Sequence, residues 1–351
     1  RAGIFFGAGA VYLFHLDGSM LLAITNPAPD TNDRFGSSVA ALGDNGIIVG
    51  SPADNGDRGS VWLFDTNGTL LLDLPNPSPA TFESFGQTVE GYNDELFLVG
   101  APNYNGGAIG AGRVYLFNTN GTIFRSAFNP APDMFESFGT SFAVVNGRIA
   151  VGTPDDEPGG TVYLYDTDFN LLATMNNPSP EMNDQFGGRM AALDDDRILI
   201  GASGKDVAGH EDAGAAYIFN TNGSHWATIL NPLPLGSDGF GISVAAGNGR
   251  FVVGAFRDSA MGVANAGAAH LYSSVVLHSR TITNVVTVST MNQADPVPAD
   301  NRAEAVFTVG TGFELVQTSS IPGIVNTTSL WAGGTFAQTV TAPAMDAQTN
   351  R

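Results

Sequence analysis

The sequence has no cysteine, so no disulfide staples the fold and no thiolate is available as nucleophile or metal ligand. It has one lysine, Lys205, and 14 basic residues against 34 acidic ones, a formal net charge of -20 at pH 7. Such a surface repels nucleic acid and anionic lipid, which excludes nucleic-acid partners. No apolar run approaches the roughly 18 residues of a membrane helix, so direct membrane insertion is not expected. No signal peptide is recognisable, and a first residue Arg1 is what a processed or trimmed chain would show.

What is abundant is turn chemistry. With 44 Gly and 19 Pro among 351 residues, of which 43% are hydrophobic, the composition suits many short strands joined by tight turns. Phe-Gly recurs at Phe35-Gly36, Phe85-Gly86, Phe138-Gly139, Phe186-Gly187 and Phe240-Gly241, spaced 50, 53, 48 and 54 residues apart. Each Phe follows an acid by two residues: Asp33, Glu83, Glu136, Asp184 and Asp238. A period of this size marks a repeat architecture whose units cannot bury their faces alone.

The first complete unit reads as four strands, Ser38 to Leu42, Gly46 to Val49, Ser60 to Phe64 and Leu70 to Leu74. Its second strand ends in Ile48-Val49-Gly50, a pattern repeated to Val252-Val253-Gly254, and near-continuous apolar character implies burial on both faces. The third strand alternates aliphatic and aromatic residues, from Val61-Trp62-Leu63-Phe64 to Ala269-His270-Leu271-Tyr272. Asn-Gly follows at Asn67, Asn120 and Asn222 and predicts a two-residue hairpin; Asp168-Phe169 replaces it in one unit and should strain or change the turn. Asn-Pro-x-Pro then closes each unit, at Asn26, Asn76, Asn129, Asn177 and Asn231, always nine residues before the next Phe. Proline cannot donate to a ladder, so this is a connector of constant reach.

The expected fold is all-β: a β-propeller of four-stranded antiparallel blades, five full repeats plus a half blade at residues 1–25, within a domain at 1–274. A linear solenoid fits the antiparallel hairpins poorly. Residues 275–351 read as a small β-sandwich-like domain, with Thr281 to Val288 and Ala303 to Val309 as paired strands and further strands at Phe313 to Gln317 and Thr335 to Thr341. This region is either self-contained or completed by a partner strand.

The repeat of Phe-Gly, apolar strand, Val-Gly-Ala/Ser-Pro and Gly-x-x-Tyr-Leu-Phe resembles the FG-GAP repeats of integrin alpha-chain propellers and their bacterial and archaeal surface relatives. That resemblance covers residues 1 to about 273 and implies a secreted or cell-surface protein acting through adhesion or assembly. Calcium loops of the integrin type are not carried over, because Gly43-Asp44-Asn45-Gly46 and its counterparts are too short to supply six oxygen ligands. The segment from Thr281 to Val309 resembles the second half of a DUF11-type extracellular β-sandwich.

Acidic residues gather between second and third strands: Asp54, Asp57, Asp155, Asp156, Glu157, Asp206, Glu211, Asp212 and Asp258. They suit either a metal- or glycan-binding face or a solvated rim without fixed ligand spacing. The acid before each Phe-Gly, with its Phe and Gly, reads as structural, the carboxylate accepting turn N–H groups or bridging blades. The five histidines, His15, His210, His225, His270 and His278, have no zinc spacing, and no metal or cofactor is expected. Nucleophile elbow, Walker loop and dinucleotide fingerprint are missing. Sequons at Asn67, Asn120, Asn222 and Asn326 are candidate glycosylation sites, three of them at one hairpin position; preferred turn chemistry explains them equally. The expected function is a non-enzymatic extracellular or cell-surface structural protein, self-associating into a surface structure or filament with copies of itself or other envelope proteins. The alternatives are a carbohydrate- or protein-binding adhesin using the loop face, and a glycoside-active enzyme with an acid pair assembled across blades.

Overall fold

A computed structural model describes residues 6–78, 80–259 and 265–277, with backbone alone for 274–277 and for the strands between 281 and 340. The chain forms two compact units, residues 1–248 with 252–270, and residues 249–251 with 271–351.

The first unit opens with a two-stranded antiparallel sheet, β1 (Ala10–Phe14) and β2 (Met20–Thr25). Four sheets of four antiparallel strands follow, each in sequential order. They are β3 (Ser38–Leu42) to β6 (Leu70–Pro75), β7 (Thr88–Gly91) to β10 (Ile123–Phe128), β11 (Ser141–Val145) to β14 (Leu171–Asn176), and β15 (Arg189–Asp194) to β18 (His225–Leu230). A fifth sheet begins with β19 (Phe240–Gly247), β20 (Arg250–Ala255) and β21 (Ala268–Leu277). The repeated sheets are propeller-like blades. Among the described residues, no strand pairing joins the first sheet to the last.

Within each complete sheet the middle strands are the core. β8 (Leu96–Ala101) and β16 (Arg197–Ala202) are buried at every position, as the apolar runs of Leu96 to Ala101 and Ile198 to Ala202 require. On the third strands the aromatic residues meet the Phe of their own Phe-Gly: the Phe85 ring lies 5.6 Å from Tyr115 and 6.0 Å from Phe117, both edge-on.

The hairpin is wider than Asn-Gly alone implies. Gly68, Gly121 and Gly223 are left-handed, at φ 82°, 83° and 86°, but Asn67, Asn120 and Asn222 are not. Asp65 N–H bonds to the Thr69 carbonyl and Gly68 N–H to the Asp65 carbonyl, and the register shifts between Leu63 and Phe64. This is a four-residue turn ending on a left-handed Gly and a bulge. The unit without Asn-Gly keeps the same two bonds, Asp166 to Asn170 and Phe169 to Asp166. Phe169 therefore takes the glycine's place at φ 59°, and its ring packs edge-on against Tyr165 at 5.6 Å. The expected departure is borne as local backbone strain, not as a new turn.

Successive units are joined by backbone atoms. The Phe-Gly glycine donates its N–H to the Val-Gly glycine of its own unit: Gly36 to Gly50, Gly86 to Gly100, Gly139 to Gly152 and Gly187 to Gly201, at 3.0–3.1 Å. The Val-Gly glycine in turn lies against the next unit's Phe-Gly. A Cβ on Gly50, Gly100, Gly152 or Gly201 would come within 2.0–2.2 Å of the carbonyl oxygen of Gly86, Gly139, Gly187 or Gly241. The result is a glycine ladder running through consecutive sheets, where only hydrogen side chains fit.

In the second unit, β22 (Thr281–Thr287) pairs antiparallel with β23 (Arg302–Thr308). β24 (Gly312–Val316) pairs with Ser273 to Leu277 of β21, and β25 (Asn326–Trp331) pairs with β26 (Gly334–Val340).

Candidate functional site

The loops at one end of each sheet in the first unit hold the repeat residues. In every Asn-Pro-x-Pro connector the Asn Nδ2 donates to the acid seven residues on: Asn26 to Asp33 at 2.8 Å, Asn76 to Glu83 at 2.9 Å, Asn129 to Glu136 at 2.5 Å, Asn177 to Asp184 at 2.7 Å and Asn231 to Asp238 at 2.8 Å. The N–H groups of Asp30, Asp133, Glu181 and Leu235 reach the same carboxylate oxygens at 2.5–2.9 Å. The Asn Oδ1 meanwhile accepts the N–H two residues ahead, of Ala28, Ser78, Ala131, Ser179 or Leu233, which folds the Pro-flanked turn. The acids are buried, with Asp184 at 0% and Asp238 at 1% exposure. Carboxylates wrapped in this way satisfy the connector's own donors.

The Asn–acid pairing went unread in the sequence. Its signal was there: Asn nine and acid two residues before each Phe give a constant separation of seven. Phe35, Phe85, Phe138, Phe186 and Phe240 are at most 2% exposed. The residues on either side of each acid are left-handed, Asn32 and Arg34, Phe82 and Ser84, Phe135 and Ser137, Asn183 and Gln185, Ser237 and Gly239, at φ 56–68°. This alternation lifts bulky side chains off the surface, and Phe82 and Phe135 are 69% and 64% exposed.

Burial pushes the carboxyls of Asp33, Glu136 and Asp184 above their ordinary values and outweighs the donors that pull them down. Glu90 is raised by burial as well. Between the ordinary values, 3.8 for Asp and 4.5 for Glu, and the raised ones, the folded chain binds more protons than the unfolded chain. Stability therefore increases as pH falls through that window. Asp65 and Asp166, in exposed hairpins, are held below 3.8, chiefly by hydrogen bonds from Thr69 and Asn170 respectively, so their contribution is lost as pH drops below 3.8. Urea midpoints measured from neutral pH downward are expected to pass through a maximum at about pH 4. A steady decline from pH 7 would contradict the upward shifts.

The acidic loops sit beside exposed apolar residues. Phe82 N–H bonds to the Asp57 carbonyl at 2.7 Å, and Phe256, 53% exposed, precedes Arg257 and Asp258, with the Arg257 guanidinium 4.8 Å from its ring centre. A cleft of about 460 Å³ opens between the fourth and fifth sheets. Asn183, Gln185, Ser203, Asp212, Phe256 and Arg257 line it. Asp54 lies close enough to Asp33, and Asp156 to Glu136, to raise those carboxyls further. Among the described residues, no three His, Asp or Glu side chains converge as a metal site. His270 Nε2 stands 3.4 Å from Asp258 Oδ2; His15, His210 and His225 lie apart from it, and His278 lies outside the described residues.

Asn67, Asn120 and Asn222 are exposed at their hairpins. The hydroxyls of Thr122 and Ser224 donate to Asn120 and Asn222 Oδ1 at 2.7 and 2.6 Å. Asn326 begins β25, where the side chains lie outside the described residues. No described helix is long and apolar enough to cross a membrane.

No curated protein matches the chain. The FG-GAP repeat family model matches residues 24–64 and 180–219, which are the first and fourth complete units from connector to third strand. FG-GAP repeats are thus present over part of an all-β chain built from propeller-like blades.

Proposed function

We propose that this protein is a non-enzymatic structural protein of the cell surface or extracellular space. Its FG-GAP units form a β-propeller, and it assembles with copies of itself through β-strand contacts of its C-terminal region. The observation that carries this reading is the naked aromatic face of the two-stranded sheet of β1 and β2. Tyr12 and Phe14 of β1 are both 56% exposed, whereas their counterparts Trp62 and Phe64 are 3% and 2% exposed, and Tyr115 and Phe117 each 1%. In the complete units second-strand side chains and the Phe of Phe-Gly cover those rings, as Phe97 and Phe85 do for Phe117. β1 pairs with β2 alone among the named strands, so its other edge is open to strand addition beside those bare rings. The C-terminal region offers strands for it: β22–β23 and β25–β26 are two-stranded ribbons, marginal by themselves in water. The DUF11-like segment would be completed in the same exchange, and the exposed sequon asparagines would carry glycans on the outside.

A second reading, a carbohydrate- or protein-binding adhesin, draws on the exposed Phe82 and Phe256 beside the acidic loops and on the polar cleft next to Phe256. One set of measurements separates the two. Light scattering and electron microscopy should find assemblies that grow with protein concentration and with salt, which screens the net charge of -20 between copies. Phe14→Asp should weaken assembly by at least about tenfold. Particles that stay monomeric at every concentration and salt would sink the assembly reading, and oligosaccharide binding by those monomers would move the balance to the adhesin.

A further inference from the structure

The chain's single lysine is buried among carboxylates. Lys205 follows β16 as the fourth residue after the Ile-Gly glycine, where the other units carry Asp54, Tyr104, Asp156 and Asp258. Its side chain is 8% exposed, and its Nζ lies 2.7 Å from Glu181 Oε2 and 3.5 Å from Asp184 Oδ2. Nζ forms no hydrogen bond and is held by these two ion pairs alone. Asp184 is fully buried; its Oδ2 takes the Asn177 Nδ2 and Glu181 N–H donors, and its Oδ1 is buried without a partner. An amine, a carboxyl carbon with two donors on one oxygen, and a second, 55% exposed carboxylate within reach of the amine are the parts of an amide-forming centre.

We propose that Lys205 and Asp184 condense into an intramolecular isopeptide bond, with Glu181 as the proton relay. Glu181 takes a proton from the Lys205 ammonium and passes it to Asp184 Oδ1, and the freed Nζ attacks Cγ of the Asp184 carboxyl so protonated. Negative charge develops on Oδ2, where the Asn177 and Glu181 N–H groups already point. Collapse breaks the Cγ–Oδ1 bond. Oδ1 leaves as water, carrying its own proton and one relayed by Glu181 from Nζ, while Nζ keeps a single hydrogen in the new amide. An ammonium and a carboxylate become one amide and one water, so atoms and charge balance without a further reactant. Burial, which raises the Asp184 carboxyl above its ordinary value, makes the protonated acid more accessible. The same burial keeps water from the product. The cradle of Asn and backbone N–H recurs in the other connectors, but only this unit brings an amine to it.

Intact mass spectrometry of the purified chain tests this directly. The expected mass is lower than that of the sequence by one water molecule. Digestion at arginine should then yield a branched peptide joining the Asp184 and Lys205 segments, and Lys205 should resist acylation after denaturation. Full sequence mass with an acylated Lys205 overturns the proposal. Loss of ammonia in place of water would put the bond on Asn177 and overturn the assignment to Asp184. Glu181→Gln, at an exposed side chain, is expected to fold and to keep full mass; a Glu181→Gln chain that still loses water removes Glu181 from the relay.

Discussion

Phe186→Ala is expected to cost about 3–5 kcal/mol of unfolding free energy, the range for removing a fully buried Phe. Phe186 is 0% exposed and stands at the joint of two sheets. On one side it shares a core cluster with Val162, Leu164 and Met175 of the preceding unit, and on the other with Ile198, Ile200, Tyr217 and Phe219 of its own. Both aromatic neighbours meet it edge-on at 5.5 Å, a geometry worth about 0.5–1.5 kcal/mol per pair beyond buried area. Truncation leaves a void between sheets whose backbones already touch at Gly152–Gly187 and Gly201–Gly241, so little further collapse is open to refill it. Urea unfolding of the variant measures the loss. A cost below about 1 kcal/mol would mean that the joint relaxes and that the Phe is filler.

The second large effect is expected at Gly201→Ala. A Cβ there would lie 2.1 Å from the Gly241 carbonyl oxygen, and that atom belongs to backbone, which cannot swing aside like a side-chain end. The sheets must separate or tilt, an overpacking cost of about 1–3 kcal/mol or more. Gly247→Ala is the control: nothing lies within 4 Å of its added Cβ, and a change within about 0.5 kcal/mol is expected. Equal, small effects at both positions would show that sheet spacing is set elsewhere.

Much of this fold is legible in the sequence because its signals are local. Ser38 to Leu42 is predicted and found at the same limits, and the other strands of that unit differ by two residues at most. Alternation, apolar runs and turn residues act within a few positions, and the repeat states them several times over. What is not legible is partnership at a distance. Constant spacing says that Asn177 and Asp184 are related but not that one donates to the other. The contact of Gly201 with Gly241 joins residues on different sheets, and neither carries a side chain whose chemistry could advertise it. The pairing of β21 with β24 is a long-range choice, and neither Ser273 to Leu277 nor Gly312 to Val316 carries a residue that marks the other as its partner. The hairpin at Phe169 shows the converse limit: its sequence departs from the rule, while the surrounding strands hold the turn to the shape of its siblings. The acidic loops are visible as a composition, but only the strained backbone around the connector acid Glu83 places Phe82 beside one of them.

The glycine ladder also bears on how such a protein changes in number over evolutionary time. Every rung is made by one main-chain N–H, one carbonyl and an absent side chain, and none depends on which unit supplies it. A tandem copy of one unit, inserted in frame at a connector, would meet its neighbours through the same atoms that the original used. Copy number is then free to drift, while each copy stays bound to its Phe, its two glycines and its acid. Loop residues such as those around Lys205 lie outside that obligation, so one copy can acquire a chemistry its siblings lack without loosening the stack.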